Sequence, residues 1–421
     1  MLTELCPLAR VSRCVTPAAL EEHYAFFPTI EMAAADWEAA APTDNIFLSR
    51  CYLKALEECP PPGMRASYVV FYRENTPIGV AVLQQIAFDG RTHLRDLTTS
   101  AGSKSWLRYV LPPVKRWIAN CVRGQVMVCG HLLLTGQHGF YFDPRAIGPY
   151  QAILLLLRAL EEAAQRRRPA AVLIKDVPPA YKVQGTALSQ AAYTPFRVQP
   201  NMVLPLPYPT FEDYLAAMTT KYRTRAKRAF KKAAPLAQRH LSLREVQQAQ
   251  QQLHALYAAV ARRSGFHWVG LHENYLLALK RHLGDAFHIV GWYRDGVLVG
   301  FHTAIENGPV MEAHFLGYNE AVNAECQLYL NMLYDLVRLG IERGSERVVF
   351  GRTALEIKSS VGAQPQALDL YLRLQHPIGR RLCAPLLNYL TPREHWLQRH
   401  PFKQGFAESR LERVALGLKK D

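Results

Sequence analysis

Alternating apolar and polar positions divide the chain into short strands and amphipathic helices, and one arrangement of them occurs twice. Residues 69–84 read VVFYRENTPIGVAVLQ, and residues 289–304 read IVGWYRDGVLVGFHTA. In both stretches an apolar run, a polar turn and a second apolar run follow one another, which is typical of a β-hairpin. Each hairpin is followed by another strand region, by an apolar helix that begins at Tyr150 or Tyr329, and by a short apolar strand. Two copies of one hairpin–strand–helix–strand unit predict a duplicated domain.

The two copies predict two domains, residues 1–205 and 206–421, with the segment PLPYPT at the boundary. Each domain is predicted to be α/β (α+β), a mixed, mostly antiparallel sheet flanked by helices. The first carries an insert at about 89–125 in which basic and aromatic residues are interleaved. That mixture suits an anionic membrane surface, a nucleic acid, or a covered helix with a basic outer face. The second opens with a basic helix, has its last strand near 367–374, and ends in a basic helical tail.

The charge of the chain predicts a negatively charged partner. The 50 basic and 35 acidic residues give a formal net charge of +15. Nucleic acid, an anionic membrane surface and a phosphorylated substrate all fit this charge, and solvated arginines without a partner stay an open alternative.

Cysteine spacing and hydropathy indicate the compartment. The eight cysteines follow no metal-binding or CxxC spacing. The N-terminus lacks a secretory apolar segment, and no apolar run reaches the roughly 20 residues of a membrane span. These features predict a cytoplasmic protein without a metal, and contact with a membrane surface stays open.

Standard catalytic motifs are absent from the sequence. It has no GxSxG elbow, P-loop, dinucleotide-binding glycine pattern or zinc motif. His138 and Asp143 have the H-x4-D spacing of the glycerolipid acyltransferases, but the rest of that family's signature is missing.

Three other stretches carry a more extensive resemblance. They are the basic helix KYRTRAKRAFKKA, the strand end HFLGYN ahead of the helix from Tyr329, and VVFGRTALEIKSSVG. With the order of two helices, a three-strand meander, a loop, a helix and a strand, the second copy resembles the GNAT acyltransferase fold over about 180 residues, and the first copy resembles it with an insert. The whole chain resembles the double-GNAT arrangement of the Fem-like peptidoglycan transferases and the acetyltransferase family near them.

The resemblance implies a reaction. An acyl group would move from a thioester donor, acyl-CoA or an acyl-carrier protein, directly to an amine or hydroxyl acceptor, without a tightly bound cofactor. Two alternatives stay open. In one, aminoacyl-tRNA is the donor and a cell-wall precursor or peptide is the acceptor. In the other, the chain is a non-catalytic module that binds membrane or nucleic acid.

The resemblance also implies where the donor binds. In GNAT enzymes the third meander strand and the next strand splay apart to hold the pantetheine arm, and the following helix N-terminus receives the pyrophosphate. Here the loop before that helix reads EAVNAECQ, without the usual glycine-containing pattern.

The predicted site residues cluster in the second copy. A two-residue turn at Asn307-Gly308 predicts that Thr303 pairs with Glu312 and Phe301 with His314, all on one sheet face. Glu312 is the first candidate for the general base and His314 the second. The resemblance implies that Tyr318 donates a proton to the leaving thiolate or a hydrogen bond to a ribose hydroxyl. Donor or substrate binding is expected of Thr303, Asn319, Arg352, Lys358, Arg223, Arg225 and Arg228. Lys358 is expected at the rim of the cleft, and a purely structural or solvated role stays open for each residue.

Overall fold

The computed structural model describes most of the chain and divides it into two compact units. The described residues are 22–88, 124–177, 181, 185–263, 269–381, 387 and 396–403. Unit 1 is drawn from residues 1–198, 266–272 and 368–394, and unit 2 from residues 199–265, 273–367 and 395–421. Each unit has a mixed sheet flanked by helices, as the sequence predicts.

Unit 1 contains an eight-stranded sheet in its described part. Its strands are β1 (Glu22–Phe27), β2 (Arg65–Arg73), β3 (Thr76–Phe88), β4 (Gly124–Cys129), β5 (Phe140–Phe142), β6 (Ala171–Ile174), β7 (Thr194–Arg197) and β15 (Asp369–Leu374). Its helices are α1 (Ala34–Ala40), α2 (Arg50–Glu58), α3 (Pro149–Arg167) and α4 (Gly185–Gln190). The strand order is β1-β2-β3-β4-β6-β15-β7, and β5 also pairs with β3.

Unit 2 contains a seven-stranded sheet in its described part. Its strands are β8 (Asn201–Pro205), β9 (Ala237–His240), β10 (Phe287–Arg294), β11 (Val297–Asn307), β12 (Val310–Tyr318), β13 (Arg347–Val349) and β14 (Gln364–Gln366). Its helices are α5 (Phe211–Ala217), α6 (Thr220–Ala233), α7 (Leu243–Arg263), α8 (Tyr275–Leu283), α9 (Glu320–Cys326), α10 (Leu328–Glu342) and α11 (Leu355–Ser360). The strand order is β14-β8-β13-β12-β11-β10-β9.

The two hairpins confirm the predicted duplication in detail. Phe71 pairs with Gly79 before a register shift in the first hairpin, and Trp292 pairs with Gly300 before a shift at the same place in the second. Both turns have two central residues with positive φ, which matches the right-handed twist of the strands. These residues are Glu74 (φ 49°) and Asn75 (φ 72°) in the first turn, and Asp295 (φ 51°) and Gly296 (φ 80°) in the second.

One apolar helix follows the meander in each unit and buries a stripe against the sheet. In α3 the buried residues include Ile153, Leu156 and Leu160, and in α10 they include Leu333 and Val337. The spacing of three and four residues puts each set on one helix face. Complete burial of each such aliphatic side chain contributes about 1.5–3 kcal/mol. These helices therefore anchor the sheet strands that precede them.

Three elements differ from the sequence prediction. The stretch EAVNAECQ, predicted as the loop before the helix from Tyr329, is helix α9 followed by Gln327. The strand predicted near 367–374 as the last of the second domain is β15, which lies in the unit 1 sheet between β6 and β7. The basic entry helix is two helices, because Met218 and Thr219 adopt extended backbone between α5 and α6. Most of the predicted insert, at 89–123, lies outside the described residues, as does much of the basic tail.

Candidate active site

The sheet of unit 2 opens into a fork between two neighbouring strands. Strands β12 and β13 run parallel and pair only over Val310–Glu312 and Arg347–Val349. Beyond this point Phe350 turns away from β12 and donates its N–H to the Met202 carbonyl at 2.8 Å. No strand of the described chain pairs with this edge of β12 over residues 313–318. The fork therefore exposes backbone donors and acceptors that an extended ligand can bind.

A β-bulge bends β12 at the opening of the fork. Ala304 pairs with Ala313 and His302 with Leu316, so one residue of β11, Thr303, lies opposite two residues of β12. The Thr303 hydroxyl donates to the Phe315 carbonyl and accepts from the Phe315 N–H, both at 2.8 Å. Thr303 is 1% exposed. These two bonds use the hydroxyl to close the bulge.

The predicted pairing of Thr303 with Glu312 and of Phe301 with His314 is wrong. Asn307 pairs with Val310, so the turn is one residue later than expected, and Glu312 pairs with Ile305. Before the bulge, the observed pairing differs from the predicted pairing by two residues. Because side chains alternate between the two sheet faces, a shift of two residues leaves each side chain on the same face. The strand face assigned to Glu312 is therefore unchanged by the corrected register.

Glu312 lies where the two strands part. It is the last β12 residue that pairs with β13, opposite Val349, and it is 6% exposed. A carboxylate at this position is next to the free strand edge that begins at residue 313.

His314 is held by aromatic neighbours on the same strand face. Its Nε2 lies 3.0 Å from the Tyr275 hydroxyl of α8, and its ring packs edge-on against Phe287. Burial lowers the pKa of the His314 imidazole to about 3. The imidazole is therefore neutral at physiological pH and is a much weaker base than a free histidine. The sequence did not single out Tyr275, because its partner is 39 positions away.

Lys358 lies at the base of the fork. Its ammonium group donates to the carbonyls of Phe350 (2.6 Å) and Gly351 (3.3 Å), the residues that follow β13. It is only 4% exposed, so it does not lie on the cleft rim as the sequence predicts. No carboxylate pairs with it among the described residues, and burial lowers its pKa to about 7. Arg352, which follows Gly351, is partly buried.

A basic cavity of about 380 Å³ lies near the start of α10. One face of α6 contributes Lys221, Arg225 and Arg228, whose spacing of four and three residues aligns them along the helix. Arg399 supplies a fourth cation. Arg223, also predicted to bind the donor, is not among the lining residues. The remaining lining residues are Tyr222, Thr224 and Gln327.

Two contacts explain how the cavity is held together. The Arg399 guanidinium donates to the Glu356 carboxylate of α11, and its backbone N–H donates to the Ser359 hydroxyl at 2.9 Å.

Gln327 is the N-cap residue of α10, with φ 52°. Its Oε1 is buried and has no hydrogen-bond partner in the described part of the chain. The cavity therefore brings Lys221, Arg225 and Arg228 together with Arg399, which is ion-paired to Glu356, beside the N-terminus of α10.

Two further predicted residues lie where β12 leads into α9. Asn319 caps α9, because its side-chain oxygen accepts from the backbone N–H groups of Ala321 (2.9 Å) and Val322 (3.3 Å). The Tyr318 ring lies 6.0 Å from the Tyr329 ring and 5.4 Å from the Arg263 guanidinium. Burial, and then the nearby Glu320 carboxylate, raise the pKa of Tyr318, so its hydroxyl stays protonated at neutral pH.

Two other structural features bear on function. None of the helices in the described residues is both long and apolar enough to cross a membrane. Within the same residues, no group of three or more His, Cys, Asp or Glu side chains is arranged to hold a metal ion.

Comparison with known proteins identifies the fold. Residues 220–359 match the model of the acetyltransferase (GNAT) domain family. The crystal structure of FemX is similar over 82% of this chain and 95% of its own, with 11% identity and a TM-score of 0.52. A tandem GNAT protein from the clavulanic acid biosynthesis pathway is similar over 84% of this chain and 99% of its own, with 11% identity and a TM-score of 0.47. The search of curated proteins finds no match to the sequence. The chain therefore has a fold like that of FemX, built from two GNAT-like units, and residues 220–359 match the GNAT domain family.

Proposed function

We propose that the chain is an N-acyltransferase with its reaction site at the fork of unit 2 and acyl-CoA as its donor. The observation that carries the proposal is the free edge of β12, which begins just after Glu312 and leads into the helices beside the basic cavity. An extended thioester arm fits a strand edge with unpaired backbone groups, and phosphates fit a cavity lined by arginines.

The basic cavity selects a phosphorylated donor. Arg225 and Arg228 can each donate two parallel hydrogen bonds to a phosphate, and Lys221 adds a point charge. The N-terminal end of α10 adds a favourable partial charge. These side chains substitute for the glycine pattern that residues 320–327, which form α9 and the N-cap of α10, lack. A diphosphate such as that of CoA meets this charge distribution.

The chemistry is a direct transfer. The acceptor amine attacks the acyl carbon, so a C–N bond forms while the C–S bond of the thioester breaks. Glu312 takes the proton from the attacking nitrogen, and the leaving thiolate is protonated by solvent. Tyr318 lies about 17–20 Å further along β12, at about 3.3 Å per residue, and contacts the donor away from the reacting carbon. Free N–H groups on the edge of β12 stabilise the negative charge on the acyl oxygen. Lys358 positions the segment after β13 by donating to the carbonyls of Phe350 and Gly351.

Aminoacyl-tRNA is the second candidate donor. The observation that favours it is the net charge of +15 together with the run of cations on α6. Binding of tRNA would bring many phosphates to this surface, and its affinity would fall steeply with salt.

Thermal-shift titration with CoA, acetyl-CoA, long-chain acyl-CoA and deacylated tRNA separates the donors, because a ligand that binds only the folded state raises the melting temperature. The test variant is Arg225→Gln/Arg228→Gln. The control is Lys227→Gln/Lys231→Gln, which removes equal charge from exposed positions of the same helix outside the cavity.

We expect CoA species to stabilise the wild type and the control. The cavity variant should lose about tenfold or more in CoA affinity per arginine, since a hydrogen bond to a charged group contributes about 1.5–3 kcal/mol. Pantetheine, which has no phosphate, should bind the wild type and the cavity variant equally. A shift with tRNA alone would replace the CoA proposal by the second candidate. Equal CoA binding by both double variants would remove the cavity from the site.

A further inference from the structure

The loop between β4 and β5 of unit 1 lies where unit 2 has its bulge. Leu83 pairs with Cys129 at the end of β4, and Ala81 pairs with Phe140 at the start of β5. Val82, between them, donates to the Gly139 carbonyl at 2.7 Å and accepts from the Gly130 N–H at 3.1 Å. In unit 2 the equivalent position is Thr303, opposite the bulge. Strands β4 and β5 together therefore correspond to β12.

The two units differ in the number of residues inserted at this point. In unit 2, residues 314 and 315 lie between the paired residues Ala313 and Leu316. In unit 1 the interval is 130–139, which is ten residues instead of two. We name residues 130–139 the plug loop.

The plug loop is fastened to the strand on the other side of the gap. The Lys175 ammonium group donates to the Leu134 carbonyl at 2.7 Å, and the Gly136 N–H donates to the Asp176 carboxylate at 2.9 Å. The His138 ring bonds to the Asp176 carbonyl. Lys175 and Asp176 directly follow β6, which corresponds to β13 of unit 2. The loop thus bridges the two strands whose counterparts form the fork.

The packing of the loop is tight and specific. None of its ten residues is exposed. A Cβ on Gly139 would lie 2.1 Å from the Gly130 Cα, so only hydrogen atoms fit there. Lys175 and Asp176 form an ion pair with side chains 7% and 1% exposed. Asp176 has φ 53°, a strained conformation for a residue other than glycine that persists only where several contacts hold it.

We propose that the plug loop closes the donor cleft of unit 1, so that the chain has one acyl-transfer site, in unit 2. The loop puts backbone and side chains into the gap where a thioester arm would lie. Its hydrogen bonds also use polar groups of Lys175 and Asp176 at the edge of that gap. The inference rests on the proposed function for the identity of the donor that the cleft would bind. The closure itself is a property of unit 1 alone. Unit 1 then has the same sheet arrangement as unit 2 but no open donor cleft.

Hydrogen exchange followed by mass spectrometry tests the closure without any donor. In the wild type we expect the amides of residues 130–139 to exchange at least 100-fold more slowly than free peptide. Exchange of the plug loop at the free-peptide rate would overturn the proposal. Asp176→Asn should accelerate exchange in this loop, while Asp143→Asn, which removes an exposed pair with Arg145, should not. Equal exchange in both variants would show that Asp176 does not hold the plug.

Calorimetric titration with CoA tests the number of sites. We expect one CoA per chain, and two per chain would overturn the proposal even if the loop is protected. If CoA does not bind at all, the donor in the proposed function is wrong, and the exchange experiment still decides whether unit 1 is closed. Because the wild type serves in both measurements, a variant that fails to fold does not prevent the decision.

Discussion

Replacement of Lys358 by methionine tests whether burial of the ammonium group at the base of the fork lowers the free energy of unfolding. The side chain is 4% exposed, and within the described residues its ammonium group donates to the carbonyls of Phe350 and Gly351. Methionine has a similar length and no charge, so it keeps most of the packing. The variant should therefore remove the cost of burying the ammonium group.

The magnitude follows from the pKa of Lys358, which burial lowers from 10.5 to about 7. Each pKa unit corresponds to about 1.4 kcal/mol, so the penalty on the charged form is on the order of 5 kcal/mol. Between pH 7 and pH 10.5 the unfolded chain binds this proton and the folded chain does not. The stability of the wild type therefore rises with pH in that window, whereas the contribution is constant below pH 7. The variant also loses two hydrogen bonds, but that loss does not change with pH.

Urea unfolding at pH 6, 7.5 and 9, followed by tryptophan fluorescence, measures this difference. Relative to Lys358→Met, the wild type should gain about 3 kcal/mol between pH 6 and pH 9, from about two units above pH 7 at about 1.4 kcal/mol each. The exposed Lys227→Met on α6 is the control and should show a difference from wild type that does not depend on pH. A constant difference between wild type and Lys358→Met across this range would refute the argument and show that the buried amine stays charged.

Three shorter predictions concern other parts of the chain. Glu312→Gln should lower turnover by about 10²-fold or more and leave donor affinity unchanged, because a general base acts on the reaction step; equal loss of donor binding would contradict this role. The pKa of buried His131 is lowered to about 3, so the unfolded chain binds a proton that the folded chain does not between pH 6.5 and 3. Stability is lost as the pH falls through that window, and His131→Phe should make acid unfolding less steep by circular dichroism. Gly317→Ala should destabilise unit 2 by about 1–3 kcal/mol in urea unfolding, because its Cβ would lie 2.4 Å from the Tyr257 nitrogen of α7, and unchanged stability would show that α7 can move away.

Local signals were sufficient to predict most of the fold. The two hairpins follow from apolar alternation around polar turns, and both were confirmed. The register shift that they share was not predicted. The helices from Pro149 and Leu328 follow from apolar spacing. These elements depend on residues close in sequence, which is why a single sequence reveals them.

Features that depend on distant contacts could not be predicted. The strand β15 has an apolar pattern like any other, and nothing local indicates that it pairs with Ile174 rather than with a strand of unit 2. Arg399 reaches the basic cavity through Glu356, 43 positions earlier. The predicted register of β11 and β12 was wrong. Asn307-Gly308 is a strong turn signal in the sequence, whereas the two turn residues in the structure are Gly308 and Pro309.

The comparison of the two forks explains why duplication need not double the number of sites. A bulge of two residues in unit 2 bends β12 and leaves its edge open, with Thr303 closing the bulge from the opposite strand. In unit 1 the same position holds ten residues, which are enough to fill the gap between the strand pair β4 and β5 and the neighbouring β6. The strands on either side of the insertion keep their pairing, so the sheet of unit 1 tolerates the change. One local insertion is thus sufficient to turn an open strand edge into a closed one without altering the fold.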